Sequence, residues 1–240
     1  VPVLQPDQIE RVLVVMAHPD DVDFGSAGTM AWLVDHGVHV TYCLVTDGDA
    51  GGSDRSLPRS EMAAIRRVEQ TAAASALGVK DLVFLGHPDG RVQNTLELRR
   101  DISRVIREVR PEVVVCQSPE RNMDRIFASH PDHLAAGEAA MCAVYPDARN
   151  PFAHPELLEA GLEPWSAAEI WLSGHPQSAD PVDVTDYVDR KFEALLCHAS
   201  QHADPEGMQS RVRQWMRATA SELGLPDGRY AEAFRVVTAG

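Results

Sequence analysis

Through residues 11–145, short β-branched runs alternate with longer segments whose apolar residues recur every three or four positions. The runs at 11–16, 39–46, 81–86 and 112–117 are almost continuously apolar, as expected of strands covered on both faces of a sheet. Between them, Met62, Ile65, Val68, Ala72 and Ala76 fall at helical steps, as do Leu98, Ile102, Val105 and Val109. The spacing predicts two helices, each with one apolar stripe, and Gly78 and Pro111 supply the stops. Strands and helices taken in turn imply right-handed crossovers, so the fold class is α/β and Rossmann-like, a mostly parallel sheet with helices on both faces. In a 3-2-1-4 strand order the first and fourth strands are neighbours. The ligand site of such a sheet lies beyond the carboxyl ends of the strands, where the order reverses.

After residue 145 the alternation weakens. Residues 145–165 are Pro-rich and read as a long surface loop that shapes the pocket; a short run at 169–172, helical patterns over 185–200 and 205–223, and a β-like run at 235–238 follow. A chain of 240 residues, 44% of them apolar, can bury a sizeable core, and residues 1–240 are expected to form one domain. The net charge of −14 argues against nucleic acid as a partner, because phosphate binding needs clustered Lys and Arg. Cys43, Cys116, Cys142 and Cys197 form no C-x-x-C pair and are expected as free thiols, mostly buried. Residues 1–11 lack a signal-peptide pattern and no apolar run approaches a membrane span, so no membrane association and a cytoplasmic location are expected. The oligomeric state is left open, with a homo-oligomer among the options.

The candidate chemistry stands where the topology places ligands. Ala17-His18-Pro19-Asp20-Asp21 follows the first strand and His130-Pro131-Asp132-His133 follows the fourth. Spacing of three lets both members of each pair reach the same way, and Pro131 suits the first turn of a helix. Either cluster alone reads equally well as a cap or a turn. Two of them behind adjacent strands offer two imidazoles and a carboxylate for a divalent metal, with a second carboxylate and a third imidazole for acid–base work.

The sequence resembles the LmbE-like, or PIG-L, family of zinc-dependent N-deacetylases, which includes the deacetylase and the conjugate amidase of mycothiol metabolism. The resemblance runs from residues 17–21 through Thr46-Asp47-Gly48, Arg66-Arg67-Val68-Glu69, Leu77-Gly78-Val79, Pro88-Asp89-Gly90 and residues 130–133 to Asp183-Val184-Thr185-Asp186, Lys191 and His198-Ala199-Ser200-Gln201. It implies one Zn2+ per chain, or another divalent ion, held by His18, Asp21 and His133. It also implies Asp20 as general base, a protonated His130 as oxyanion stabiliser, and Asp132 as the group that orients His130. Arg66 and Asp89 are the implied sugar contacts. The family's Glu after the paired aspartates is replaced here by Val22-Asp23-Phe24, which leaves the ligands untouched.

Residues 47–52 read as a turn, and His87 and His175 as surface or structural groups. The implied activity is removal of an N-acetyl or similar N-acyl group from an N-acetylglucosamine-type sugar of a small glycoside or metabolite. The alternatives are a metal-dependent amidase of a larger amide such as a thiol conjugate, and a nucleotide-binding module without catalysis. Against the latter, the first strand–helix turn carries carboxylates where phosphates would want a G-x-G-x-x-G.

Overall fold

The computed structural model describes residues 4–52, 54 and 56–240. Strands β1 (Arg11–Met16), β2 (His39–Thr46), β3 (Asp81–His87), β4 (Val113–Gln117), β5 (Glu169–Ser173), β6 (Asp180–Asp183) and β7 (Ala231–Thr238) form one sheet ordered β3-β2-β1-β4-β5-β7-β6. The first five are mutually parallel; β7 runs antiparallel to both β5 and β6. The expected adjacency of β1 and β4 holds, with Val12 opposite Val113 and Val15 opposite Cys116.

Both faces of β1 are apolar because both are covered. Val12, Val14 and Met16 enter one core with Met30 and Leu33 of helix α1 (Asp21–Asp35), Ala73 and Ala74 of α2 (Arg59–Ala76), and Ala194. Leu13 and Val15 enter the other with Leu98, Ile102 and Val105 of α3 (Leu96–Val109) and Ala136, Ala139 and Ala140 of α4 (Pro131–Cys142). The period of two sends alternate side chains of a strand to opposite faces. Each fully buried Val or Leu stabilises the fold by about 1.5–3 kcal/mol.

Several expectations change. The buried stripe of α2 is Met62, Arg66, Gln70, Ala73 and Ala74, while Ile65 and Val68 are exposed. The helix is rotated so that two polar side chains face inward, toward the carboxyl ends of the strands. Residues 145–165 do not line the cleft described below: they carry the short helix α5 (Pro155–Glu159) and close over α3 at the opposite end of the sheet. There Arg107 donates to the carbonyls of Asp147, Ala148, Asn150 and Ala153, and Trp165 Nε1 to Pro111 O, at the entrance to β4. The helical pattern over 185–200 is shorter, α6 (Val188–Leu196) with flanking 3-10 turns, and is followed by α7 (Pro205–Glu222).

Strand β7 begins four residues earlier than its apolar run because it carries a buried charge. Glu232 is 5% and Lys191 of α6 0% exposed, and they pair at 2.7 Å. Glu232 also accepts from the N–H groups of Gly28 and Thr29 and from the Thr29 hydroxyl; Lys191 donates to the carbonyls of Asp23 and Phe24. One ion pair therefore joins α6, β7 and the interior of α1. Gly28 lets Val184, the residue after β6, pack against α1, since a Cβ there would meet it at 2.8 Å.

Removing one partner of such a pair strands a buried charge. Lys191→Met is expected to destabilise the fold by about 3–5 kcal/mol in urea unfolding, whereas Arg104→Ala, which breaks the exposed Arg104–Glu108 pair of α3, should cost no more than about 0.5 kcal/mol. Equal losses in the two variants would show that the buried pair contributes nothing special.

Candidate active site and metal centre

The site is assembled where β1 and β4 end. Ala17 N–H donates to Gln117 Oε1 of β4 at 3.0 Å, and Ala17 O accepts from Thr46 N–H at 2.9 Å, so the turn after β1 is tied to strands on both sides. Asp20 then adopts a left-handed conformation at φ 81°, uncommon for a residue with a Cβ, and opens α1. Its N–H is held by Gln70 Oε1 at 2.8 Å. On the β4 side, His130 caps α4 and Pro131 occupies its first turn. Gly137 lets α4 lie against the end of β4, because a Cβ there would overlap the Gln117 carbonyl.

These turns bring the two histidine clusters together. The rings of His18, His130 and His133 lie 5.2–5.3 Å apart, centroid to centroid. Asp21 sits between two of them, its Oδ2 3.2 Å from His18 Nδ1 and its Oδ1 3.0 Å from His133 Nε2. His18 Nε2 faces two further carboxylates, Asp89 at 3.1 Å and Asp132 at 3.3 Å. Two triples have one ligand atom each within 4.8 Å of one another, His18–His130–His133 and His18–Asp89–Asp132. Imidazoles and carboxylates so converged are the donor set of a divalent metal, and the residues fit such an ion.

The charges respond to this crowding. Burial favours a neutral His18, but the Asp21 charge and hydrogen bonds to Asp132, Asp21 and Asp89 outweigh it and push the ring up to about 12. Burial likewise opposes ionisation of Asp21 and Asp89, yet His133 and His18 hold Asp21 well below the usual carboxylate range and contacts with His18 bring Asp89 to about 2. The cluster is built to hold positive charge. Asp20 differs: burial pushes it up to about 6 against the pull of Arg66.

Several side chains stand differently from their sequence-based expectation. Asp132 turns away from His130; its carboxylate accepts from His18 and from the N–H groups of Gly90 and Val92. His130 is instead bound through its own helix end, Nδ1 accepting from Asp132 N–H at 3.2 Å. Burial and the charges of His18 and His133 lower its pKa. Arg66, 4% exposed, donates to Asp20 Oδ2 at 3.0 Å and to the carbonyls of Pro19 and Gly48. Gly48 makes room for it, since a Cβ there would overlap the guanidinium. Asp89 accepts from Ala50 N–H at 2.8 Å besides contacting His18. Arg66 and Asp89 thus support Asp20 and His18, and neither lines the cleft. His175, read as a surface or structural group, is in the cleft wall.

Behind Asp20 stands a buried chain whose His198 belongs to the motif run that carries the family resemblance. His198 and Asp23, both fully buried, meet at 2.8 Å, and Gln70 Nε2 donates to the same Asp23 oxygen at 2.9 Å while its Oε1 holds Asp20. The departure at Val22-Asp23 is thereby explained: Val22 faces the core and Asp23 faces His198. Polar residues at 66 and 70, one helical turn apart, were the available sign that this face of α2 serves a site.

The cleft that opens from Asp20, Asp21 and His133 has a volume of about 790 Å³ and runs to α7. Among the described residues, no helix is long and apolar enough to cross a membrane. The family model for PIG-L, GlcNAc-PI de-N-acetylase, matches residues 13–144, a span that contains both histidine clusters. The chain is 33% identical over 232 residues to a diacetylchitobiose deacetylase of Thermococcus kodakarensis, covering 96% of this chain and 84% of that protein. It is 35% identical over 200 residues to a probable N-acetyl-alpha-D-glucosaminyl L-malate deacetylase 2 of Bacillus anthracis, covering 80% and 82%. The N,N'-diacetylchitobiose deacetylase of Pyrococcus horikoshii, solved with its inhibitor MPG, superposes with a TM-score of 0.89 at 33% identity, covering 96% of this chain and 85% of that one. A match over more than half the length, joined to likeness along nearly all of it, means that this chain belongs to the PIG-L family.

Proposed function

We propose that the chain is a zinc-dependent N-deacetylase of a small N-acetylglucosamine glycoside or related N-acetylated metabolite, with His18, Asp21 and His133 as the metal ligands and one ion per chain. The observation that carries this is Asp21 bridging His18 and His133 beside Asp20, at the head of a cleft large enough for a sugar. The names of the relatives support the substrate class. The free cysteines, two of them buried, support a reducing, cytoplasmic compartment.

Bound there, zinc would supply Lewis-acid activation of a water and polarisation of the amide carbonyl. Asp20 takes the proton that the water loses on attack and passes it to the departing amine, giving acetate and the free amino sugar. Gln70 fixes its backbone and Arg66 keeps its carboxylate ionised at neutral pH. His130 acts as a neutral donor: its Nδ1 already accepts the Asp132 N–H, so the ring proton is on Nε2, from which it stabilises the developing oxyanion. A helix N-terminus disfavours a cationic ring, which supports a neutral His130 in place of the protonated one expected from the sequence. Asp132 and Asp89 orient His18, in the manner of carboxylates that fix a ligand imidazole.

Alanine at His18, Asp21 or His133 is expected to lower bound zinc and turnover together, while Asp20→Asn keeps the metal and loses about 10²–10⁴-fold in rate. Full metal content in all three alanine variants would exclude the ligand set; near-parent turnover in the Asn variant would exclude Asp20 as base.

The pH dependence has a defined sign. Asp20 must be ionised, so the rate falls as pH drops through its pKa, which burial raises and Arg66 lowers. Arg66→Gln should therefore move the acidic limb to higher pH in a rate profile. A limb that stays in place assigns the base elsewhere.

Loss of a neutral oxyanion donor lowers the profile without reshaping it. His130→Ala is expected to cost about 10²–10³-fold and to leave the alkaline limb where it was. Disappearance of that limb would mean that His130 works as a cation.

A further inference from the structure

His198-Ala199-Ser200-Gln201 follows α6 and lines no part of the cleft, yet its contacts lead back to Asp20. The segment grips α2. Ser200 gives its N–H and its hydroxyl to the two oxygens of Glu69, each at 2.7 Å. Gln201 comes up beside Arg66: a Cβ on Gly51 would meet Arg66 Nη1 at 2.6 Å and Gln201 Oε1 at 2.8 Å. His198 reaches the same helix through Asp23, whose Oδ2 accepts from His198 Nε2 at 2.8 Å and from Gln70 Nε2 at 2.9 Å. The segment is thus coupled to α2 at Arg66, Glu69 and Gln70, and the first and last of these hold Asp20.

The link through Gln70 has a direction. An amide side chain can turn either its oxygen or its NH2 toward a neighbour, and only the oxygen can accept the Asp20 N–H. The Asp23 carboxylate accepts and does not donate, so it takes the NH2 end of Gln70 and leaves the oxygen for Asp20. His198 fixes that carboxylate from its other side, with the proton on Nε2. The bond so secured restrains Asp20 at φ 81°, a left-handed conformation that costs a non-glycine residue about 1–3 kcal/mol and persists only where the surroundings impose it. Stability alone is a poor reason for this chain. Asp23 Oδ1 and His198 Nδ1 are buried with no hydrogen-bond partner among the described residues, and a half-satisfied buried pair is less favourable than apolar side chains of similar volume.

We infer that His198 is a positioning residue for the general base, acting through Asp23 and Gln70 to hold the Asp20 backbone in the conformation that sets its carboxylate at the head of the cleft. The inference rests on the deacetylase function proposed above. His198 touches neither the cleft nor the proposed metal ligands, so its loss acts on the chemical step and leaves binding alone. A base displaced by about 1 Å costs about 10²-fold in rate.

The test uses the zinc-loaded full-length protein with N,N'-diacetylchitobiose as substrate. His198→Leu should keep the parent's zinc content and KM and lose about 10²-fold in kcat. His198→Gln, which returns an N–H donor near the Nε2 position, should recover most of that loss. In an Asp20→Asn background His198→Leu should cost nothing further, because the group it positions is already gone. If the unpaired Asp23 keeps His198→Leu from folding, Asp23→Leu combined with His198→Leu leaves no buried charge; that protein should match the parent in urea unfolding and still show the kcat loss. Parent kcat in the leucine variants, a Gln variant as slow as the Leu variant, a change in zinc content or KM as large as that in kcat, or a full further loss in the Asp20→Asn background overturns the positioning role and leaves the deacetylase standing. A parent that does not hydrolyse the amide overturns the deacetylase function and the positioning role with it.

Discussion

Everything at the carboxyl edge of the sheet is organised around one buried imidazole. His18 is met by Asp21 on one nitrogen and by Asp89 and Asp132 on the other, so that side chains from the β1–α1 turn, the segment after β3 and the start of α4 converge on a single ring. Three carboxylates around one imidazole repel one another unless a positive charge lies among them. The fold supplies that convergence by placing β1 beside β4, and the convergence in turn demands a cation. Asp21, which holds His18 through one oxygen, holds His133 through the other.

Asp20 feels the Asp21 and His18 charges but is held by partners of its own. Its backbone is left-handed, Gln70 holds the N–H, and Arg66 balances the charge. Two adjacent aspartates thereby acquire different roles: Asp21, held ionised between two imidazoles, is suited to bind a metal, while Asp20, lifted by burial toward neutrality, is suited to exchange a proton. The Asp23–His198–Gln70 chain stands behind that difference. Lys191 and Glu232 anchor the same helix from its other side.

The strand order, the β1–β4 adjacency and the two histidine clusters were legible because they depend on periodicities and short spacings. What escaped had other causes. The stripe of α2 was misread because its buried face carries Arg66 and Gln70, which a hydrophobicity pattern places outside; Ile65 and Val68 are exposed instead. Strand β6, Asp180–Asp183, has too few apolar residues to stand out, and β7 starts at Ala231 with a buried glutamate in its first half. The partners of Asp132 and Asp89 could not be read from sequence neighbours, since both carboxylates reach His18 across more than 70 positions. The pocket wall was sought in residues 145–165, yet it is made by residues 122–128, 173–178 and α7, because that Pro-rich segment leaves α4 at the opposite edge of the sheet.

The proposed chemistry turns on a divalent ion held against His18, Asp21 and His133. A zinc-soaked crystal examined by anomalous diffraction at the zinc edge tests it most directly. One strong peak is expected within about 2.0–2.2 Å of an imidazole nitrogen of His18, of His133 and of an Asp21 carboxylate oxygen. A peak between His18, Asp89 and Asp132, or no peak at the site in a protein that hydrolyses its substrate, would contradict it.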